Sequence, residues 1–119
     1  MSTVSDSIRA EIEATVRDYV EGWYEGDADR MSRALHDDLA KRMPGEGGAL
    51  RPVSKERMVE LTGGGGGESP GADHEIEVHH VSGPIASARV HSVEYLDYLH
   101  LVNTDDGWKI ANILFRAWE

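Results

Sequence analysis

The spacing of apolar residues changes along the chain, from a helical period in the first part to alternation in the second. Over residues 5–25, apolar side chains recur at intervals of four and three, which is the spacing of one helical face. They are Ile8, Ile12, Val16, Tyr19 and Trp23. The pattern predicts an amphipathic helix that ends at Gly26. Gly22, inside this helix, leaves room for another backbone to come close.

Two shorter helices are predicted downstream. Asp27 is a suitable N-cap for a helix over residues 28–36, and Ser54 is one for a helix that ends at Leu61. Their inward-facing residues are expected to be Met31, Ala34, Leu35, Met58 and Leu61. The glycine and proline content of residues 43–52 predicts a loop.

Five consecutive glycines, residues 63–67, follow the third predicted helix. A nucleotide-binding loop needs a Gly-Lys-Ser/Thr ending that follows a strand and starts a helix, and neither condition holds here. The composition favours a flexible glycine-rich loop over residues 63–73.

From Asp73 onward the apolar pattern has a period of two and predicts four strands. The strands are separated by short breaks that contain glycine, proline, serine or aspartate, which indicates antiparallel hairpins. A block of helices followed by a block of strands is typical of the α+β class. A length of 119 residues corresponds to one domain. We therefore expect a single domain over residues 1–119, with three N-terminal helices packed on a curved antiparallel sheet of about four main strands.

Asp97 lies within an apolar strand, where a carboxylate is costly unless it is paired, hydrogen-bonded or protonated. A three-residue turn with a bulge at Gly107 would place Asp97 opposite Phe115. The residue numbers of each facing pair would then add up to 212. A two-residue turn would instead place Asp97 opposite Arg116, as a structural ion pair. The first register separates the two faces of the hairpin more cleanly, and it is the register we predict.

One face of this hairpin is then almost wholly apolar, and the other combines large aromatic and polar side chains. A single layer of helices covers only one face of a sheet, so the second face predicts a partner. Aromatic residues and arginine are enriched at interface centres, and the symmetric homodimer is the commonest assembly. The residues expected at this interface are Tyr98, His100, Trp108, Asn112, Leu114, Arg116 and Trp118.

Composition and charge exclude several classes of function. The formal net charge of −10 opposes binding to nucleic acid or to an anionic membrane. The absence of cysteine excludes disulfides and thiolate chemistry. The chain has neither a signal-like N-terminus nor an apolar stretch of about 20 residues, so a cytoplasmic location is expected. His74 and His80, on one side of one strand, lie roughly 20 Å apart and cannot share an ion; we predict no metal and no cofactor.

Two segments carry a resemblance to a known family. The segment "DYVEGWYEGDADRMSRALHDDLAKR" (residues 18–42) and the later "DYLHLVNTDDGWKIANILF" (residues 97–115) resemble the nuclear transport factor 2-like superfamily. Within it, the chain is most similar to the SnoaL-like group described as "putative lumazine-binding". The resemblance implies a cone-shaped, cystatin-like fold that encloses a pocket and commonly dimerises through the outer face of its sheet.

The same superfamily contains ketosteroid isomerases. The resemblance implies that Tyr19 and Asp97 match the tyrosine and the protonated aspartic acid that donate hydrogen bonds to the oxyanion in those enzymes. Their carboxylate base corresponds by spacing to Met43. Ketosteroid isomerisation is therefore not predicted.

Two hypotheses of function follow. In the first, a pocket binds a small apolar or aromatic carbonyl compound, or performs acid–base chemistry on it, with Asp97 and Tyr19 as the catalytic pair. The expected ligand-binding residues are Trp23, Leu99, Phe115, Tyr95 and His36. For His36, beside two aspartates at a helix end, the favoured role is structural. In the second hypothesis, the protein is a non-catalytic homodimerisation module whose own side chains fill the cavity, and Asp97 is structural. A further alternative for Asp97 is an exposed strand residue.

Overall fold

A computed structural model describes residues 5–67 and 69–118. In these residues three α-helices cover one face of a curved six-stranded sheet, so the α+β class is confirmed. The helices are α1 (Asp6–Glu25), α2 (Ala28–Ala34) and α3 (Lys55–Gly63). The strands are β1 (Leu35–Pro44), β2 (Leu50–Val53), β3 (His74–Ser82), β4 (Ile85–Ser92), β5 (Tyr95–Thr104) and β6 (Gly107–Ala117).

The sheet has two more strands than the predicted four, in the order β2-β1-β6-β5-β4-β3. The additional pair, β1 and β2, lies between α2 and α3, and β1 runs parallel to β6. Every second residue of β1 faces inward, namely Leu39, Lys41 and Met43. Because the middle residue is a lysine, the apolar alternation that marks a strand is interrupted there.

The final hairpin follows the predicted register over its outer half, where Asp97 pairs with Phe115. The register shifts by one residue between His100 and Leu101, so that Leu101 faces Ile110 instead of the predicted Ala111. The loop is therefore the two-residue Asp105-Asp106 turn and not the predicted three-residue turn. The alternative register with Arg116 opposite Asp97 is wrong, because Arg116 faces Leu96.

This shift corrects the predicted outer face. The extra residue on β6 turns Trp108 and Ile110 inward, and Trp108 is only 5% exposed. Trp108 is therefore a core residue and cannot belong to a dimer interface on the outer face. Tyr98 and Leu114 do lie on that face, with exposed fractions of 51% and 42%. The homodimer stays a prediction.

Helix α1 packs along the inner face of the sheet. Ser5 caps its N-terminus by accepting a hydrogen bond from the backbone N–H of Ile8, and Gly26 ends it in the left-handed conformation with φ 71°. A Cβ on Gly22 would lie 3.3 Å from the Asp27 carbonyl oxygen and from the Met31 nitrogen. The close approach expected at Gly22 is thus confirmed. No helix among residues 5–67 and 69–118 combines the length and apolarity needed to cross a membrane.

Two glycines of the glycine run pack directly on the indole of Trp23. A Cβ on Gly67 would lie 2.0 Å from Trp23 Nε1, and one on Gly66 would lie 2.7 Å from Trp23 Cη2. The backbone N–H of Gly66 also donates to the Leu61 carbonyl oxygen at 2.8 Å. Glycine is therefore needed here for contact with a side chain. The flexibility expected of residues 63–73 stays a prediction.

We expect Gly67→Ala to destabilise the protein, because the added methyl group overlaps the Trp23 ring. Overpacking of this kind costs about 1–3 kcal/mol of unfolding free energy. Gly63→Ala is the matched control, since its Cβ would make an ordinary 3.4 Å contact with Ala28. Urea denaturation followed by tryptophan fluorescence compares the two variants. Equal stabilities would contradict the packing of Gly67 on Trp23.

Candidate functional site

A cavity of about 250 Å³ lies between the inner face of the sheet and helices α1 and α3. Most of its wall is apolar, with a polar group on one side. The lining residues from the helices are Tyr19, Val20, Trp23, Tyr24, Met58 and Leu61. Those from the strands are Lys41, Met43, Val53, Ser92, Tyr95, Asp97, Phe115 and Ala117.

The polar group is a chain of hydrogen bonds between three buried side chains. Lys41 Nζ donates to Tyr19 Oη at 2.8 Å, and Tyr19 Oη donates to Asp97 Oδ2 at 2.6 Å. Lys41, Tyr19 and Asp97 are 5%, 6% and 4% exposed. Lys41 Nζ also lies 3.2 Å from Met58 Sδ. An ammonium and a carboxylate are thus connected through one phenol, inside an otherwise apolar enclosure.

Each of the three side chains comes from a different element. Tyr19 lies on the buried face of α1. Asp97 faces the cavity from β5 and is paired with Phe115 of β6. Lys41 reaches the cavity from β1, where it pairs with Ile113 of β6. The central strand β6 therefore holds Lys41 and Asp97 on its two sides, and the site depends on both pairings.

Aromatic rings complete the surroundings of the amine. Lys41 Nζ lies 4.5 Å from the centroid of the Phe115 ring and 5.0 Å from that of Tyr19. A cation over an aromatic face at this distance is attracted by the ring quadrupole. The rings thus offset part of the cost of removing the ammonium from water.

Burial shifts the pKa of all three groups. Desolvation raises the pKa of Asp97, against the opposing effects of Lys41 and the Tyr19 hydrogen bond. Desolvation lowers the pKa of Lys41 to about 8, and the charge of Asp97 offsets part of this shift. Desolvation and the Asp97 charge raise the pKa of Tyr19 well above its usual value, so its hydroxyl stays neutral. The site can therefore exchange protons between an amine and a carboxyl group through a neutral phenol.

The structure brings together five of the seven residues that the sequence proposed for a site. Tyr19, Trp23, Tyr95, Asp97 and Phe115 all line the cavity. Leu99 lies in the hydrophobic core, with 1% of its surface exposed. His36 lies in β1, where its Nδ1 accepts a hydrogen bond from the backbone N–H of Asp38. Neither Leu99 nor His36 is among the lining residues.

Lys41 is the site residue that sequence reasoning missed. The resemblance directed attention to Met43, which does line the cavity and lies two residues from Lys41 on the same strand. A strand assignment for residues 35–44 would have placed both side chains on one face. Among the described residues that line the cavity, Asp97 is the sole carboxylate.

The losses from removing Lys41 and Asp97 one at a time should add up to more than the loss from removing both. Asp97→Asn leaves a buried ammonium and Lys41→Met a buried carboxylate, so each variant should lose about 3–5 kcal/mol of unfolding free energy at neutral pH. The loss in the double variant should fall short of the sum by at least about 1 kcal/mol. Urea denaturation of the four proteins measures this coupling. Additive losses would show that the two charges do not interact.

The wild-type protein should become more stable as the pH rises from about 8 to about 10. The folded-state pKa of Lys41 is about 8, against an ordinary value of 10.5, so the folded state binds fewer protons in this window. Below pH 8 the folded state bears the full cost of burying the charged amine. Between pH 8 and pH 10 the folded amine is mostly neutral, and about 2 kcal/mol of unfolding free energy is regained. Denaturation of the wild type and of Lys41→Met at both ends of the window tests this. A rise of equal size in the variant would rule out Lys41 as its source.

Solved structures with the same fold support the architecture. An NTF-2-like protein of unknown function from Silicibacter pomeroyi aligns with a TM-score of 0.83 and 20% identity, over 98% of this chain and 100% of that one. A domain of unknown function with a cystatin-like fold from Nostoc punctiforme aligns with a TM-score of 0.69 and 14% identity, over 98% and 80% of the two chains. A ketosteroid isomerase-like protein from Erwinia carotovora atroseptica aligns with a TM-score of 0.69 and 19% identity, over 97% of this chain and 99% of that one. At these identities the likeness concerns the fold alone.

Sequence comparison supplies the family. No curated protein matches the chain. The model of the family described as "Putative lumazine-binding" matches residues 7–116, which is nearly the whole length. The chain therefore belongs to this putative lumazine-binding family, within the nuclear transport factor 2-like fold.

Proposed function

We propose that the protein binds a small, planar, mostly apolar molecule that carries a carbonyl or a similar hydrogen-bond acceptor. The observation that supports this proposal is the Lys41–Tyr19–Asp97 chain at the wall of an apolar cavity. Ligand pockets typically combine apolar walls with a few placed polar groups that orient the ligand. The family description, which refers to lumazine, is consistent with a planar ligand that carries carbonyl groups.

Lys41 is the group best suited to hold the acceptor. An ammonium has three protons, and the geometry directs Nζ toward Tyr19 Oη and Met58 Sδ, which leaves one proton for a ligand. Tyr19 directs its proton toward Asp97. The ligand's oxygen would therefore lie beside Lys41, with the Phe115 and Trp23 rings as walls.

The size of the cavity limits the ligand. Its volume of about 250 Å³ is slightly below the range of roughly 300–1,000 Å³ for drug-sized molecules. One ring or two fused rings suit this volume. The alternative function, a dimerisation module with a filled cavity, requires side chains in this space. The open volume beside Asp97 favours binding.

The same arrangement would assist chemistry at a bound carbonyl. A preorganised cation beside the oxygen stabilises negative charge that develops there. The lining offers no second carboxylate, among the residues described, to act as the base of an isomerase. The proposed acid–base role is therefore polarisation of the carbonyl by Lys41, with Tyr19 and Asp97 holding the proton.

We expect benzamide and lumazine to bind in this cavity, and Lys41→Met to weaken their binding by about 10–100-fold. A hydrogen bond to a charged group contributes about 1.5–3 kcal/mol, which corresponds to this factor. Both probes carry an acceptor, and the amide of benzamide does not condense with amines. Titration followed by NMR chemical shifts of the cavity residues gives the dissociation constants.

Lys109→Met is the matched control, because Lys109 Nζ donates to the Arg33 carbonyl oxygen away from the cavity. Tyr98→Phe is a second control, since Tyr98 lies on the outer face of the sheet and is 51% exposed. The controls should bind like the wild type. If neither probe binds, or if Lys41→Met binds both as tightly as Lys109→Met does, the proposed site is wrong.

A further inference from the structure

The chain contains three lysines, and their surroundings differ sharply. Lys55 Nζ pairs with the Asp37 carboxylate at 2.8 Å and with the Leu35 carbonyl oxygen at 2.9 Å. Lys109 Nζ donates to a backbone carbonyl at the surface. Lys41 is the lysine inside a cavity, 5% exposed and in contact with a phenol, a thioether and an aromatic ring. Lys41 thus has an environment that suits a nucleophile.

A lysine reacts as a nucleophile only in its neutral form, and burial among apolar groups favours that form. The pKa of Lys41, lowered to about 8 by desolvation, leaves roughly one-tenth of the amine neutral at pH 7. An exposed lysine has a far smaller neutral fraction at that pH. The electrostatics therefore agree with the geometry of the cavity.

We propose that Lys41 forms a reversible imine with a small aldehyde or ketone in the cavity, with Tyr19 and Asp97 as the path for the transferred proton. This inference rests on the proposed function, because the carbonyl compound must first occupy the site. It goes further in naming the class of compound and the covalent bond. Tyr19 Oη lies 2.8 Å from Lys41 Nζ and 2.6 Å from Asp97 Oδ2, so a single hydroxyl connects the nucleophile to a proton acceptor.

The reaction balances within the site. The lone pair of neutral Nζ attacks the carbonyl carbon, a C–N bond forms, and the π electrons move to oxygen. Nitrogen loses a proton and oxygen gains one, which gives a carbinolamine. Oxygen then takes a second proton and leaves as water, while nitrogen loses its remaining proton and the C=N bond forms. One amine and one carbonyl group thus give one imine and one water.

When Lys41 starts as an ammonium, its additional proton must leave before attack. Tyr19 can accept it while giving its own proton to Asp97, which ends as a neutral carboxylic acid. The burial that raises the pKa of Asp97 favours this neutral form. The pair then exchanges two buried charges for two neutral groups, so the apolar cavity does not oppose the step.

Reductive trapping tests the inference directly. The purified protein is incubated with benzaldehyde and sodium cyanoborohydride, which reduces an imine to a stable secondary amine, and peptide mass spectrometry locates the label. We expect one benzyl group on Lys41, added at least tenfold faster at pH 7 than on Lys55 or Lys109. The labelling rate at Lys41 should rise as the pH approaches 8 and level off above it, because the amine is then mostly neutral.

Lys41→Arg keeps the positive charge and removes the nucleophilic amine, so it should lose the fast label. Because this variant depends on correct folding, the pH profile of the wild type is the independent readout. Tyr19→Phe should slow labelling by about a hundredfold, the lower end of what a positioned proton-transfer group contributes. If the labelling rates of the three lysines rank by solvent exposure, so that Lys41 reacts most slowly, the proposed imine is wrong.

Benzamide binding separates failure of this inference from failure of the proposed function. If benzamide binds in a Lys41-dependent way and benzaldehyde does not label Lys41, the pocket stands and the imine is wrong. If neither benzamide nor lumazine binds and Lys41 is not labelled, both proposals fail. Lys41 labelling that benzamide blocks by competition supports both.

Discussion

The burial of an ammonium and a carboxylate together, connected by one phenol, is the constraint on which the rest of the site depends. Either charge alone in an apolar interior would cost several kcal/mol. Tyr19 satisfies both at once, as acceptor for Lys41 and as donor to Asp97. This arrangement needs residues of α1, β1 and β5 to lie close together. Strand β6 holds β1 and β5 in place by pairing with one on each side.

Stability alone is a poor explanation for the buried Lys41–Asp97 pair. Replacing a buried ion pair by apolar side chains of similar volume is often neutral or stabilising. A protein that needed only a stable core would gain little from Lys41 and Asp97, and it would not leave about 250 Å³ of open space beside them. The physical cost of the pair and the presence of the cavity therefore have a common explanation if the charged groups act on a ligand.

The sequence predicts those parts of the site that follow from local periodicity. Tyr19 lies on a helical face with spacings of three and four, and Asp97 follows from strand alternation and the register of one hairpin. The position of Lys41 in the site cannot be predicted from local periodicity, because a lysine at an inward position interrupts the apolar alternation that marks a strand. Its strand also pairs in parallel with β6, about 70 residues away in sequence, and local patterns contain no information on such a pairing. Trp108 was misplaced for a related reason, since a one-residue bulge inverts every side chain beyond it.

The polar end of this cavity differs in charge from the one that the family resemblance implied. There, a tyrosine and a protonated aspartic acid both donate to an oxyanion, and a separate carboxylate serves as base. Here the Tyr19 proton points to Asp97, the base position is Met43, and the donor that remains for a ligand is the Lys41 amine. A cation at this point suits stabilisation of negative charge on a ligand, and a neutral amine suits nucleophilic addition. A shared fold thus carries a different set of chemical groups, and the function must be argued from those groups.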